Sequence, residues 1–239
     1  MSKANHFNEI EHERTNLNLD KQFSILPTVI HLLRPLSGKR VIDVGCGDGF
    51  FTLPIADQSP THVYGIDNCV SQIKKAEKEP HPRVSYSVTD MFDELPPAER
   101  VNAPFVLNYA ETTEELRLLL RNFYQSLTKD GKLVAVVDLP KPDFNSQQRE
   151  RKRQLSVVKT LEGELQDETG IKLDFYNGNG IMFSLSATYY TPQTITGVLS
   201  DVGFTRIQWR EPLIEENSPL SSWQDYQELC ELGYITAEK

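Results

Sequence analysis

Three residues without a side chain, Gly45, Gly47 and Gly49, stand at alternate positions behind an apolar run at 41–44 that carries one acid, Asp43. Such a strand-to-helix turn can take positive φ and bring backbone N–H groups against a ligand. A second apolar run at 62–66 ends on Asp67, eighteen positions after Gly49. An acid placed there meets the hydroxyls of a bound ribose. Turn and acid together point to an adenosine-containing cofactor. The carboxylates narrow the choice, because Asp43 precedes the turn and Asp48 lies within it. Two negative charges repel a pyrophosphate but suit an ammonium and a sulfonium. S-adenosylmethionine carries both and has no phosphate.

The elements that must position these residues alternate. Apolar positions from Leu17 to Leu33 recur at three- and four-residue steps and predict an amphipathic helix that starts or breaks near Pro27. Strand 39–44, helix 49–58, strand 62–66, helix 69–78, strand 83–88, strand 100–107, helix 112–127 and strand 131–137 follow. Helix 112–127 is marked by Thr112 and Glu115 in a capping-box pattern and by Leu116, Leu119, Leu120, Phe123 and Leu127 on one face. Alternation of this kind implies a parallel sheet covered on both faces, with the ligand-binding loops at the strand C-termini. Pro104 conflicts with a regular central strand, since it has no N–H to donate.

Beyond Asp138 the pattern changes. Residues 146–167 are polar with helical spacing, and 171–176 and 181–190 read as strands joined by the N-G-N-G turn at 177–180. Thr191-Pro192 opens a helix that Gly203 ends, 204–209 predicts a last strand, and the tail is predicted helical around 223–232. One domain is expected: a helical lid at 1–37, a cofactor core at 38–138, a substrate-side insertion at 139–190, and a C-terminal part at 191–239.

The 239 residues carry a net charge of −9, which argues against nucleic acid as a partner. Arg149, Arg151, Lys152 and Arg153 read as a solvated helix face. No apolar run reaches the roughly 18 residues of a membrane span, and the first ten residues lack the core of a signal peptide. Cys46, Cys69 and Cys230 form no pairing pattern, which suits a reducing cytoplasm. The five histidines show no ligand spacing, so no metal is expected.

These motifs resemble those of the class I S-adenosylmethionine-dependent methyltransferases. V-I-D-V-G-C-G-D-G-F (41–50) is similar to that family's first motif, V-Y-G-I-D (63–67) to its second, and V-T-D-M (88–91) to its adenine-contacting third. K-D-G-K-L-V-A-V-V (129–137) resembles its fifth strand. L-N-Y-A-E-T (107–112) is similar to small-molecule methyltransferases of bacterial secondary metabolism. The resemblance implies a Rossmann-like α/β fold with a mostly parallel seven-stranded sheet, helices on both faces, an N-terminal lid and an insertion after the fifth strand. It also implies cofactor contacts. Asp43, Gly45, Cys46, Gly47 and Gly49 would surround the methionyl part, and Asp67 and Asn68 the ribose and adenine edge. Asp90 would take the adenine amino group, Met91 would pack on the ring, and Asn108 would border the transfer site. Asp67 also suits the N-cap of the next helix, a role compatible with ribose binding.

The reaction so implied is an SN2 methyl transfer to N, O or C of a small molecule. A general base is needed only for an acceptor protonated at neutral pH. Tyr109, Glu111, His6, His12, Tyr189 and Tyr190 are the candidates. The acceptor is expected between the N-terminal segment and the insertion, whose Phe144, Phe175, Tyr176, Met182 and Phe183 favour a partly apolar or aromatic molecule. Two other readings stay open. A catalytically silent S-adenosylmethionine-binding or scaffold protein would keep the same turn. An NAD-dependent oxidoreductase would need G-x-G-x-x-G, which is absent. Oligomeric state leaves no trace in the sequence.

Overall fold

The computed structural model describes residues 20–154, 157–176, 180–215, 218 and 223–239. A seven-stranded sheet runs in the order β3-β2-β1-β4-β5-β10-β9. Its strands are β1 (Arg40–Val44), β2 (His62–Asp67), β3 (Val84–Val88), β4 (Ala98–Pro104), β5 (Leu127–Asp138), β9 (Thr205–Arg210) and β10 (Leu232–Glu238). The first five are parallel, and β10 is antiparallel to both β5 and β9. The chain steps outward from β1 to β3 and returns to β4. The β1/β4 boundary is therefore the switch point, where a crevice opens beyond the strand ends.

One face of the sheet packs against helix α4 (Thr113–Ser126) and helix α6 (Pro192–Val202), through Leu116, Leu119, Leu120, Phe123, Ile195 and Leu199. The other face packs Ile25, Val29, Leu33, Phe51 and Ile55 onto Val41, Val63, Val134 and Val136. Helix α1 (Leu26–Leu33) supplies much of that layer and is entered through a π-helical turn, Lys21–Ile25. Pro27 sits in its first turn, where its missing N–H costs nothing. Buried Arg100 on β4 donates to the Leu33 carbonyl at 2.9 Å and so ties the end of α1 to the sheet.

Several expectations hold. Thr112 caps α4, its hydroxyl accepting from Glu115 N–H at 3.2 Å. Thr191 caps α6, and Gly203 ends it at φ +116°. Helix α2 (Thr52–Ala56) and helix α3 (Val70–Ala76) are shorter than predicted: α2 starts three residues late, after the glycine turn, and both stop two residues early. The fourth strand is displaced rather than broken. It begins early, at Ala98, and stops on Pro104, so the missing N–H falls at its end. Phe105 then turns the chain at φ +64° and donates its N–H to Val136 O at 2.7 Å.

Two expectations are corrected. The polar stretch 146–167 is not one helix. Helix α5 (Ser146–Gln154) gives way to β6 (Val157–Leu161), the first strand of a separate antiparallel sheet with β7 (Gly170–Tyr176) and β8 (Ile181–Thr188). The strand at 204–209 is not the last. After helix α7 (Trp223–Leu229), β10 inserts between β5 and β9. Of the N-G-N-G turn at 177–180, residues 177–179 lie outside the described residues.

Candidate cofactor and acceptor site

Beyond the end of β1 the turn takes φ of +63° at Gly45, +54° at Gly47 and +88° at Gly49, all in the region side chains avoid. A Cβ at Gly47 would meet nothing within 4 Å, so this backbone faces open space, as a cradle for a ligand must. A Cβ at Gly45 would press on Val106 at 3.0 Å.

Asp43 lies beneath the turn and is fully buried. Register places it directly opposite Asn102 on β4. Asn102 donates to its Oδ1 at 2.8 Å and the Thr52 hydroxyl to its Oδ2 at 2.5 Å. Burial pushes the Asp43 carboxyl up to about 6, against the opposing pull of those two bonds. The acid therefore supports the turn from below. Asn102 and Thr52 gave no sequence signal, since neither belongs to a recognisable pattern.

Asp67 reaches across from the end of β2. Its Oδ2 accepts from Gly47 N–H at 2.9 Å and its Oδ1 from Cys69 N–H at 2.8 Å. It thus joins the acid to the turn and steadies the entry to α3. Each oxygen keeps a lone pair for a further donor. Burial raises its pKa, while the two N–H groups act the other way. Asn68 donates to Asp90 Oδ2 at 3.0 Å, and Asp90 Oδ1 accepts from Phe92 N–H at 3.0 Å. Met91 packs against the core, and Asn122 of α4 holds its carbonyl at 2.8 Å. Cys46 is buried, and its thiol is pushed up by burial and then by Asp43 and Asp67, so it stays protonated.

Tyr86 on β3 is a support that the sequence did not reveal. Its ring occupies the space that a Cβ at Gly65 would take, and its hydroxyl that of a Cβ at Gly49. Lys21 also escaped notice. Its Nζ lies 4.3 Å from the centroid of Phe50 and 5.3 Å from that of Phe51. It lowers the pKa of Asp43, so its charge is felt under the turn.

Toward the acceptor side, Asn108 lies in a 3-10 turn, Leu107–Tyr109, rather than on the strand. Its Oδ1 accepts from Asp138 N–H at 2.8 Å and its Nδ2 donates to Thr188 O at 2.8 Å. It pins the insertion sheet to the end of β5. Burial raises the Tyr109 phenol, and Asp138 and Asp67 raise it further, so Tyr109 lies within electrostatic reach of both carboxylates. At neutral pH it is a proton donor. Glu111 is exposed, and His6 and His12 lie outside the described residues. Tyr189 packs with Ile171, Leu173 and Leu185. Tyr190 is fully buried, with its hydroxyl donating to Ala110 O at 3.0 Å. Phe175 and Phe183 stack at 4.3 Å on the insertion sheet.

Acid-capped glycine turn, switch-point crevice and 3-2-1-4-5 sheet with an antiparallel strand inserted beside β5 define a class I S-adenosylmethionine-dependent methyltransferase fold. Residues 41–131 match the family model of a methyltransferase domain. The mitochondrial ubiquinone biosynthesis O-methyltransferase of Rattus norvegicus is 33% identical over 107 residues, 42% of this chain and 31% of that protein. Among the curated relatives matched, the chain spans less than half of each protein's length. A putative S-adenosylmethionine-dependent methyltransferase from Listeria monocytogenes superposes with a TM-score of 0.60 at 18% identity, covering 88% of this chain and 95% of its own. CalS10, an amino pentose methyltransferase from Micromonospora echinaspora, superposes with a TM-score of 0.59 at 19% identity, over 94% and 92% of the two chains. The likeness to these structures is one of fold.

Proposed function

We propose that this protein methylates a small, partly apolar molecule, with S-adenosylmethionine as donor. One observation carries the reading: the Asp67 carboxylate is bonded to Gly47 N–H, so acid and open glycine turn form a single cradle at the switch point. Asp67 would receive the ribose hydroxyls, Asn68 and Asp90 the adenine edge, and Met91 the ring face. Lys21, the cation felt beneath the turn, would face the cofactor's carboxylate, while Asp43 and Asp48 balance its positive groups.

The bound cofactor supplies an electrophilic methyl group on a sulfonium. The chain's part is to align a nucleophile with that methyl and exclude water. Asn108 fixes the end of β5 and the insertion in place, and Tyr109 donates a hydrogen bond near the transfer point. Phe175 and Phe183 offer apolar surface for the acceptor's body. A small-molecule acceptor fits the net charge of −9 and the matched O-methyltransferase. The three free cysteines suit the cytoplasm.

Titration calorimetry with S-adenosylmethionine, S-adenosylhomocysteine and NAD tests the donor. Binding of the first two and not the third is expected. An NAD preference, or indifference to all three, overturns the reading. Turnover on a panel of phenols, amines and hydroxy acids then separates an enzyme from a silent binder.

A further inference from the structure

A crossover between parallel strands usually lays a helix on the sheet, and parallel sheets are covered on both faces. The link from β3 to β4 departs from that rule. Residues 89–97 form a loop without a helix. Helices α2 and α3 pack on β2 and β3 from one side. The opposite face of these two strands is left mainly to the loop. On that face Tyr64 stays half-buried and His62 Nε2 lies 2.8 Å from Ser85 Oγ, while Ser85 and Ser87 are exposed.

Between the loop and α4 lies a groove of about 450 Å³, lined by Phe92, Glu115, Leu118, Arg121, Asn122 and Gln125. Its two apolar residues face water: Phe92 is 43% exposed and Leu118 46%. Asn122 donates to the carbonyls of Met91 at 2.8 Å and Asp93 at 2.7 Å, so loop and helix form one continuous surface.

The charges on this surface invert about Leu118. Glu115 stands three residues before it and Arg121 three residues after it, with Glu111 and Gln125 at seven. Arg121 is exposed and makes no ion pair or hydrogen bond with a described residue. Its neighbour Arg117, in contrast, is engaged by Glu114 and by Asp201 at 2.9 Å. Glu115 gives one oxygen to the Glu111 N–H at 2.7 Å and keeps lone pairs for a cation. A uniformly acidic or basic partner would meet half of this surface with like charge. A second copy lying antiparallel would not, because a two-fold axis at Leu118 sets each Arg121 against the other copy's Glu115.

We propose that two copies of this chain pair through α4 and loop 89–97 about such an axis. Leu118 and Phe92 form the apolar centre, flanked by two symmetric Arg121–Glu115 ion pairs. The second copy supplies the cover that the missing crossover helix leaves open. Phe92 N–H holds the Asp90 carboxylate at 3.0 Å, so each copy also braces the other's loop 90–93. The 14 residues of α4 span about 21 Å. A contact of that length is at the small end of specific interfaces, and a micromolar dissociation constant is expected.

Sedimentation velocity on the full chain, from about 1 to about 100 μM, spans that range. The parent is expected to pass from monomer to dimer within it. Leu118→Asp, at an exposed position, is expected to raise the dissociation constant about tenfold or more. Arg121→Glu alone and Glu115→Lys alone each set like charges against one another twice and should do the same. An equimolar mixture of Arg121→Glu and Glu115→Lys restores both ion pairs across the axis, so the mixture should dimerise although neither component does. That rescue also shows that the single variants are folded. Circular dichroism melting shows it independently for Leu118→Asp. A parent that stays monomeric throughout, a dimer indifferent to Leu118→Asp, or a mixture no more associated than its components overturns the proposal. None of these outcomes bears on cofactor binding, so the methyltransferase reading stands or falls separately.

Discussion

Gly65→Ala tests how the glycine turn is supported, because Gly65 lies within β2 in ordinary strand conformation and the substitution adds no backbone strain. The new methyl carbon would sit 2.6 and 2.8 Å from two ring carbons of Tyr86 and 3.2 Å from the Cys46 sulfur. Contacts under 3 Å with a ring edge cannot be absorbed by rotation of one bond, so the Tyr86 ring must shift. Its route is restricted, since its hydroxyl already lies 2.6 Å from where a Cβ at Gly49 would stand. Overpacking of this kind costs about 1–3 kcal/mol. For a chain of this length that is a fall in melting temperature of about 2–12 °C. A displaced ring also presses on the turn, and S-adenosylhomocysteine affinity is expected to fall about tenfold, ~1.4 kcal/mol. Calorimetric melting and ligand titration read the two effects. Combining Gly65→Ala with Tyr86→Ala supplies the control, because removal of the ring removes the overlap. The double variant should be more stable than the sum of the single losses by about 1 kcal/mol or more. A Gly65→Ala protein that melts within a degree of the parent, or a strictly additive double variant, would refute this account.

Asp67→Ala removes both ribose acceptors and leaves the Gly47 and Cys69 N–H groups unbonded. Charge-assisted bonds are worth about 1.5–3 kcal/mol, so S-adenosylhomocysteine affinity should drop about tenfold to a hundredfold; an unchanged constant refutes the role. Asp43 carries a pH signature. Its folded pKa of about 6 lies above its ordinary 3.8, so between those values the folded state binds more protons than the unfolded one. Its contribution to stability therefore declines as pH rises from about 4 through 6, by about 3 kcal/mol in all, and Asp43→Asn should flatten that part of the stability profile measured by urea unfolding. Lys21→Met should weaken S-adenosylhomocysteine several-fold but leave 5′-methylthioadenosine, which lacks the carboxylate, nearly unaffected. Equal losses for both ligands would place Lys21 elsewhere than at the carboxylate.

What could be read from the sequence was what backbone conformation alone enforces. Gly45, Gly47 and Gly49 advertise their positive φ by type and spacing, and Gly203 marks the end of α6 in the same way. Helix α4 was legible because its cap and its apolar face lie within fourteen residues of each other. The missed pieces depend on partners far along the chain. Strand β10 sits between β5 and β9 and is buried on both faces, Ile235 and Ala237 in one core layer and Tyr234 in the other, and nothing in L-G-Y-I-T-A-E says which neighbours it will find. Strand β6 hid in a polar stretch because its central residue is Lys159, whose burial makes sense only once Asp138 stands beside it. Asn102 is buried under the turn for the same kind of reason. Register sets it against Asp43, fifty-nine residues away, and a one-residue slip would turn its amide to the opposite face of the sheet. The supports of the site are therefore consequences of strand pairing, whereas its ligand-facing residues follow from local geometry. A substitution at a support such as Asn102 or Tyr86 should disturb cofactor binding through the turn, although neither residue need touch the cofactor.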